Sequence, residues 1–260
     1  MQLKSARNFM TKNILILIVF AGVSNAKLYG QEIAPIQTDR PDQTETPFTV
    51  PANHFQMENG FSFEQTDNNT QSFTEPSILF KYGLSEHFEL GVITEFATIK
   101  SNQSVSGLSP VTFRFKEKIA DEQGLLPVTS FIGYLAVPCF ATDNFKATYF
   151  APAFRFTIQH TLSDKLSLGY NIGAEWDGET AEPTFIYTLT TGFSITAKVG
   201  AYAEVYGFAP QQSKADHRFD CGFNYLLKPN VLIDISGGVG LTENAPDYYV
   251  AAGFSFRLKD

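Results

Sequence analysis

From residue 218 to the end of the chain, apolar and polar residues alternate with a period of two. Phe219, Cys221, Phe223 and Tyr225 share one phase, and Arg218, Asp220, Gly222 and Asn224 take the other. After a break at Lys228-Pro229-Asn230, Val231, Ile233, Ile235, Val239 and Leu241 oppose Leu232, Asp234, Ser236, Gly238 and Gly240. A second break over residues 243–247 leads to Tyr248, Val250, Ala252, Phe254, Phe256 and Leu258, opposed by Ala251, Gly253, Ser255 and Arg257. Successive side chains of a strand point to opposite faces, so the pattern predicts strands with one oily and one polar edge. Every charge lies on the polar edge.

The same alternation predicts nine more strands upstream, at residues 55–64, 77–82, 88–96, 111–116, 127–137, 150–159, 166–176, 185–193 and 199–206. Long polar connections are expected at 66–75, 100–109, 139–146, 177–183 and 209–215. Short ones are expected at 83–86, 120–124, 162–165 and 196–197. Long connections therefore follow odd strands and short ones follow even strands. A soluble β-sandwich shares the two-residue period but has no reason to alternate its loop lengths. A transmembrane barrel has one: tight periplasmic turns, longer extracellular loops, an even strand number and strands of about 9–11 residues. The expected fold is all-β, a single antiparallel transmembrane β-barrel of about twelve strands.

Charge placement sharpens this choice. A Lys or Arg facing lipid at the bilayer midplane costs about 2–4 kcal/mol, and the apolar edges carry none. The polar edges carry Glu58, Glu64, Lys81, Glu89, Glu95, Arg114, Lys116, Arg155, Glu175, Glu204, Arg218, Asp220, Asp234 and Arg257, and these, with Tyr202 and Tyr206, are the expected lumen lining. Tyr82, Phe88, Phe193 and Tyr225 fall near the short-turn ends, and Phe96, Tyr149, Trp176, Tyr187 and Tyr248 near the long-loop ends, as two aromatic girdles would. The composition agrees with a sheet-built protein: 14% aromatic, 18% charged, 25 Phe and 19 Gly. A net charge of −8 leaves no basic stripe for phosphates, which argues against nucleic-acid binding.

The N-terminus has a different character. Lys4, Arg7 and Lys12 precede the apolar residues 14–23, followed by Ser24, Asn25 and Ala26. Residues 1–26 read as a secretory signal peptide, cleaved after Ala26 or near Gly30. Residues 27–53 contain Pro35, Pro41, Pro47 and Pro51, which exclude a helix or a central strand. This extended segment either hangs in the periplasm or folds into the lumen as a plug before the barrel at 54–260. Asp39, Arg40 and Asp42 are its plug candidates; as a plug, Asp39 and Arg40 would partner Arg218 and Glu204, and the alternative is that both are simply solvated.

Candidate chemistry is sparse. The four histidines, His54, His87, His160 and His217, accompany no serine motif. No Cys/His spacing suits a metal, and no glycine-rich loop suits a phosphate. No catalytic residue, metal or cofactor is expected. Cys139 and Cys221 leave their pairing open, although Cys221, mid-strand on the apolar edge, reads as a small hydrophobe. Glu89 and Glu95, six residues apart on one phase, read as rungs of an ion-pair ladder rather than an acid/base pair.

Several strings carry a family resemblance: Thr38-Asp39-Arg40-Pro41-Asp42, Phe55-Gln56-Met57-Glu58, Tyr82-Gly83-Leu84-Ser85 with Glu89-Leu90-Gly91, Tyr225-Leu226-Leu227 with Pro229-Asn230, and Asp234 leading to Ala245-Pro246-Asp247-Tyr248. Together they resemble the bacterial outer-membrane family named for the meta-pathway (MetA) of phenol degradation, over nearly the whole mature chain. That resemblance implies an outer-membrane barrel passing small, aromatic or apolar molecules, with membrane lipids and such solutes as its partners. Gly253, Phe256 and Leu258 resemble the terminal signal read by the barrel-assembly machinery, although Lys259 and Asp260 follow it. The competing expectation is an occluded barrel with a structural or surface role and no transport.

Overall fold

The computed structural model describes residues 34–259. The expected signal peptide lies outside the described residues. Thirteen strands follow in order: β1 (His54–Asp67), β2 (Thr70–Gly83), β3 (Phe88–Lys100), β4 (Ser104–Leu108), β5 (Val111–Ala120), β6 (Val128–Val137), β7 (Ala151–Ser163), β8 (Leu166–Glu175), β9 (Thr184–Ser194), β10 (Val199–Pro210), β11 (Asp216–Lys228), β12 (Val231–Gly240) and β13 (Tyr248–Lys259). Two 3₁₀ turns, Pro138–Phe140 and Asp143–Phe145, cap the β6–β7 connection.

Each strand pairs antiparallel with its neighbour, and β1 closes the sheet on β13 from His54↔Lys259 to Gln65↔Tyr248. Twelve strands make the closed barrel. The thirteenth, β4, stands outside the ring. β3 pairs with β5 only over Phe88–Ile93, and its outer part, from Phe96 to Lys100, pairs with β4 instead. Closure gives each of the twelve strands of the ring a partner on both sides, which hydrocarbon demands because no water is there to bond a free amide.

Burial is inverted relative to a soluble protein. Glu89, Lys116 and Asp220 are 0% exposed, whereas Phe223, Ile235 and Phe113 on the opposite phase are 54%, 60% and 46% exposed. Soluble proteins almost never bury Lys, Glu and Asp while exposing a continuous ring of Phe, Leu and Ile. The apolar belt faces lipid and the polar phase faces the lumen, which makes the chain a transmembrane β-barrel.

The connections depart from expectation at both ends of the barrel. Residues 66–75, read as a loop, are mostly strand: β1 and β2 run on as a ladder and turn over residues 68–69 alone. Thr66, Thr70, Gln71 and Ser72 are polar but compatible with a strand, and the Phe63 ring packs at a tilt against Phe73 across the ladder, 5.0 Å between centroids. Polarity there marks emergence from the membrane, not the end of the strand. The residues at 100–109 likewise contain β4. On the short-turn side the β5–β6 connection covers residues 121–127 and is tightened by paired Gln123 and Leu126. Cys139 and Cys221 are free thiols.

The lipid-facing assignment predicts the effect of a single charge. Ile235→Arg, at mid-strand in β12, lowers unfolding free energy by about 2–4 kcal/mol. Equilibrium urea unfolding in phospholipid vesicles measures the difference from the parent protein.

Candidate functional site

Residues 35–53 run inside the barrel from the short-turn end. Ile36 enters by donating its amide to the Pro229 carbonyl in the β11–β12 turn at 2.8 Å. Proline-rich chain makes few internal hydrogen bonds, so the wall supplies the partners. The Asp39 amide donates to Glu58 Oε2 at 2.9 Å, the Gln43 amide to Glu204 Oε2 at 2.7 Å, the Glu45 amide to Asn171 Oδ1 at 2.8 Å, and the Val50 amide to Glu89 Oε2 at 2.8 Å. Ser130 and Asn171 donate in return to the carbonyls of Pro47 and Glu45. The segment thus touches β1, β3, β6, β8 and β10 and returns to β1.

Its side chains form an ion-pair lattice with one half of the wall. Asp39 is 7% exposed and receives Lys81 at 3.0 Å, Lys116 at 2.7 Å and Arg114 at 3.1 Å. Arg114 also reaches Glu45 at 3.0 Å and Glu89 at 3.1 Å, while Tyr134 donates to Glu45. Arg155 approaches Glu45 at 3.6 Å and donates to the Gln43 carbonyl at 3.1 Å. Lys81 and Lys116 are adjacent rungs because β2, β3 and β5 lie side by side, with Lys81 opposite Gly91 and Gly91 opposite Arg114. Burial pushes the Asp39 carboxyl up, but Lys116, Lys81 and Arg114 outweigh it and hold it well below the usual carboxylate range.

The other half of the wall is acidic. Arg40 crosses to Asp234 at 2.9 Å and lies against Gly60, where a Cβ would stand 2.0 Å from its Nη1. Glycine at that position is what admits the guanidinium. Beyond it, Glu204 and Asp220 face each other across β10 and β11, and Tyr202 donates to Asp220 at 3.3 Å, as does Tyr249. Asp42 sits half-buried beneath them. Burial and repulsion from Asp220 and Asp39 push its carboxyl up to about 8, against the pull of its own backbone amide and the Thr190 hydroxyl. Next to this cluster a cavity of about 540 Å³ opens to the short-turn end, lined by Asp42, Thr44, Thr190, Tyr202, Lys165 and Lys198 among others.

The structure corrects the expected pairing of the segment. Arg218 lies toward the outer end of β11, where it is held by Asp216 at 2.5 Å and Glu64 at 2.9 Å, out of the reach of Asp39. Glu204 is met by the Gln43 amide and the Thr44 hydroxyl, not by Arg40. A segment entering at the turns reaches the inner half of the lumen first, so its charges find Lys81, Lys116 and Asp234. Of the two carboxylates read as ladder rungs, Glu89 joins the lattice, whereas Glu95 accepts from Ser109 at 3.3 Å near the outer end. Glu175 closes β8 opposite Thr184, Arg257 is buried near the inner end of β13, and Tyr206 packs edge-on to Phe208 beneath Arg218. Glu45, Asn171, Tyr134 and Tyr249 escaped the sequence reading. Tyr249 shares the parity of Ala251, Gly253 and Arg257, and that phase was its available signal.

The lattice and the acidic cluster each predict a measurable response. Asp39→Asn leaves three buried cations short of a carboxylate, a loss of about 3–5 kcal/mol in the docking of the segment. Chymotrypsin then clips after Phe48, which is protected in the parent. Asp42 titrates from about 3.9 when free to about 8 when docked, so docking is most favoured below the free value and weakens as pH rises through 8. Asp39, held low, supports docking above its free value, and that support is lost as pH falls through its lowered docked value in strong acid. Clipping after Phe48, normalised to a casein control at each pH, is expected to rise between pH 6 and 8.5, and Asp42→Asn is expected to flatten that rise.

Comparison with known proteins places this geometry. Among solved structures the chain is similar to an outer membrane channel from Pseudomonas putida F1, with a TM-score of 0.68, 12% identity, and coverage of 84% of this chain and 99% of that one. The NanC porin has a TM-score of 0.54 at 10% identity, covering 78% and 100%, and the KdgM porin a TM-score of 0.53 at 7% identity, covering 77% and 98%. At these identities the likeness is one of fold. No curated protein matches the chain in sequence. The profile of the family described as "Putative MetA-pathway of phenol degradation" matches residues 38–258, from the docked segment to the end of the last strand, and the chain belongs to that family.

Proposed function

We propose that the protein is a passive channel that lets small molecules, aromatic ones included, cross the outer membrane beside the docked segment. The observation that carries this reading is the asymmetry of the lumen. One half is tied to residues 35–53 by ion pairs, and the other keeps a cavity of about 540 Å³ open to the short-turn end. That volume is in the range that takes a small organic molecule. In this reading residues 1–26 direct export, residues 27–53 set the aperture and residues 54–260 form the wall. The lumen residues bind and orient rather than react, and the barrel-assembly machinery is the partner that inserts the chain.

A second reading has its own support. The lattice around Asp39 joins four acids to four bases, three of each buried, and a segment so held favours an occluded barrel with a structural role. Liposome swelling separates the two. The channel reading expects arabinose and phenylalanine to enter faster than in protein-free vesicles, and entry no faster than in empty vesicles rejects it. Removing residues 35–50 is expected to raise single-channel conductance at least threefold. An unchanged conductance would remove the segment from control of the aperture.

A further inference from the structure

The cavity beside the docked segment exists because one sector of the wall carries only small side chains. On the inner parts of β8, β9 and β10 the lumen-facing positions that line it are Ser167, Gly169, Thr190, Gly192, Ser194 and Gly200. Across the lumen, β2, β3 and β5 present Lys81, Glu89, Arg114 and Lys116, which reach the segment and hold it. The segment is tied to the charged sector, and about 540 Å³ stays open against the small one.

The strand register sets the polar groups of this sector in rows. Ser167 lies opposite Gly192 and Gly192 opposite Tyr202, while Ser194 lies opposite Gly200 and Gly200 opposite Asn224 of β11. Two of the glycines let those polar groups lie flat on the wall. A Cβ on Gly192 would stand 2.6 Å from the Ser167 hydroxyl, and one on Gly200 2.6 Å from the Asn224 amide oxygen. Gln159 on β7 also lines the space, and among the described residues none of these three side chains hydrogen-bonds another protein group. Thr44 and Tyr202 line it too, but their hydroxyls are taken by Glu204 and Asp220.

The lining has no dominant sign of charge. Arg40, Lys165 and Lys198 stand against Asp42, Glu45 and Asp164. Arg40 and Glu45 are committed to Asp234 and Arg114, and Asp164, Lys165 and Lys198 are exposed in the turns. A hydroxyl or a primary amide both donates and accepts, so Gln159, Ser167 and Asn224 complement a solute that carries hydroxyls of its own. An apolar solute would displace their water and leave them unpaired, which is costly. The ring of Tyr202 supplies apolar surface for a carbon skeleton.

We propose that Gln159, Ser167 and Asn224 form a recognition site for a small neutral solute with several hydroxyl groups on a ring, a cyclic polyol or monosaccharide. The ring lies along the shallow wall of β9 and β10, and its hydroxyls meet the serine and the two amides. This inference rests on the reading of the lumen as a solute path and names a class of solute that the path holds at its short-turn end.

The test uses the full mature chain in planar bilayers in KCl, with myo-inositol, cyclohexanol and gluconate as probes, alike in carbon number and different in hydroxyls and charge. Inositol is expected to halve the K⁺ current in the millimolar range. Cyclohexanol is expected to need at least tenfold more, because a site that bonds hydroxyls rejects an analogue lacking them, and gluconate to block no better than cyclohexanol. Ser167→Ala with Asn224→Leu raises the half-blocking concentration of inositol at least tenfold, whereas Glu243→Gln in an outer loop leaves it unchanged. Ser167→Ala alone, with a smaller rise, serves if the double variant does not assemble. No block by inositol, equal block by cyclohexanol or gluconate, or block retained by the variants overturns the inference. If the parent passes no current the channel reading fails separately, and saturation-transfer NMR on the detergent-solubilised barrel then decides the site: inositol signals attenuated by the parent and not by the variant support it, and signals unaffected by the parent, or attenuated equally by both, overturn it.

Discussion

A backbone amide in hydrocarbon has no water to bond, and this single constraint shapes the whole molecule. A sheet in that setting must close, because each open edge would strand a row of donors and acceptors. Closure of β1 on β13 then divides every strand into a lipid face and a lumen face. The alternation of Ile233, Ile235 and Val239 with Asp234, Ser236 and Gly238 is the sequence record of that division.

Closure at twelve strands creates a second problem. An eight-stranded barrel is just filled by its own side chains, and one of sixteen leaves an aqueous channel. Twelve strands leave a lumen too wide for side chains alone, and here the chain fills part of it with residues 35–53. A backbone placed there needs partners for its amides and carbonyls. Glu58, Glu89, Asn171 and Glu204 accept from it, and Ser130, Asn171 and Lys116 donate to it. The buried wall charges are therefore the docking surface of the segment as much as the lining of a path.

The asymmetry of that docking gives the lumen its chemistry. Lys81, Arg114 and Lys116 come from three neighbouring strands, and they concentrate positive charge where Asp39 and Glu45 arrive. Glu204, Asp220 and Asp234 on β10, β11 and β12 receive one cation, Arg40, and otherwise hydroxyls and amides. A neutralised half and an acidic half follow from which strands carry which residues, and a cavity remains on the acidic side. Mutations in the two halves should therefore act on different properties: those in the lattice on the position of the segment, those in the acidic half on what passes it.

Much of this was legible in the sequence. Period-two alternation, charges confined to one phase and loops of alternating length determined the strand number, the two faces of the wall and the membrane setting, because each follows from strand geometry and from the cost of a charge in lipid. Prolines at 35, 41, 47 and 51 likewise determined an extended, unpaired segment. The sequence could not choose the partners of that segment, since phase says which way a side chain points but not how far along the lumen it lies. The depth at which Asp39 and Arg40 lie depends on where the segment enters and how the strands are staggered. Only the tertiary structure set Asp39 among Lys81, Arg114 and Lys116, left Arg218 to Glu64 and Asp216, and brought Asp42 under Glu204 and Asp220. Such contacts, with that of Arg40 and Asp234, join residues up to 194 positions apart, and no local pattern encodes a distance of that kind.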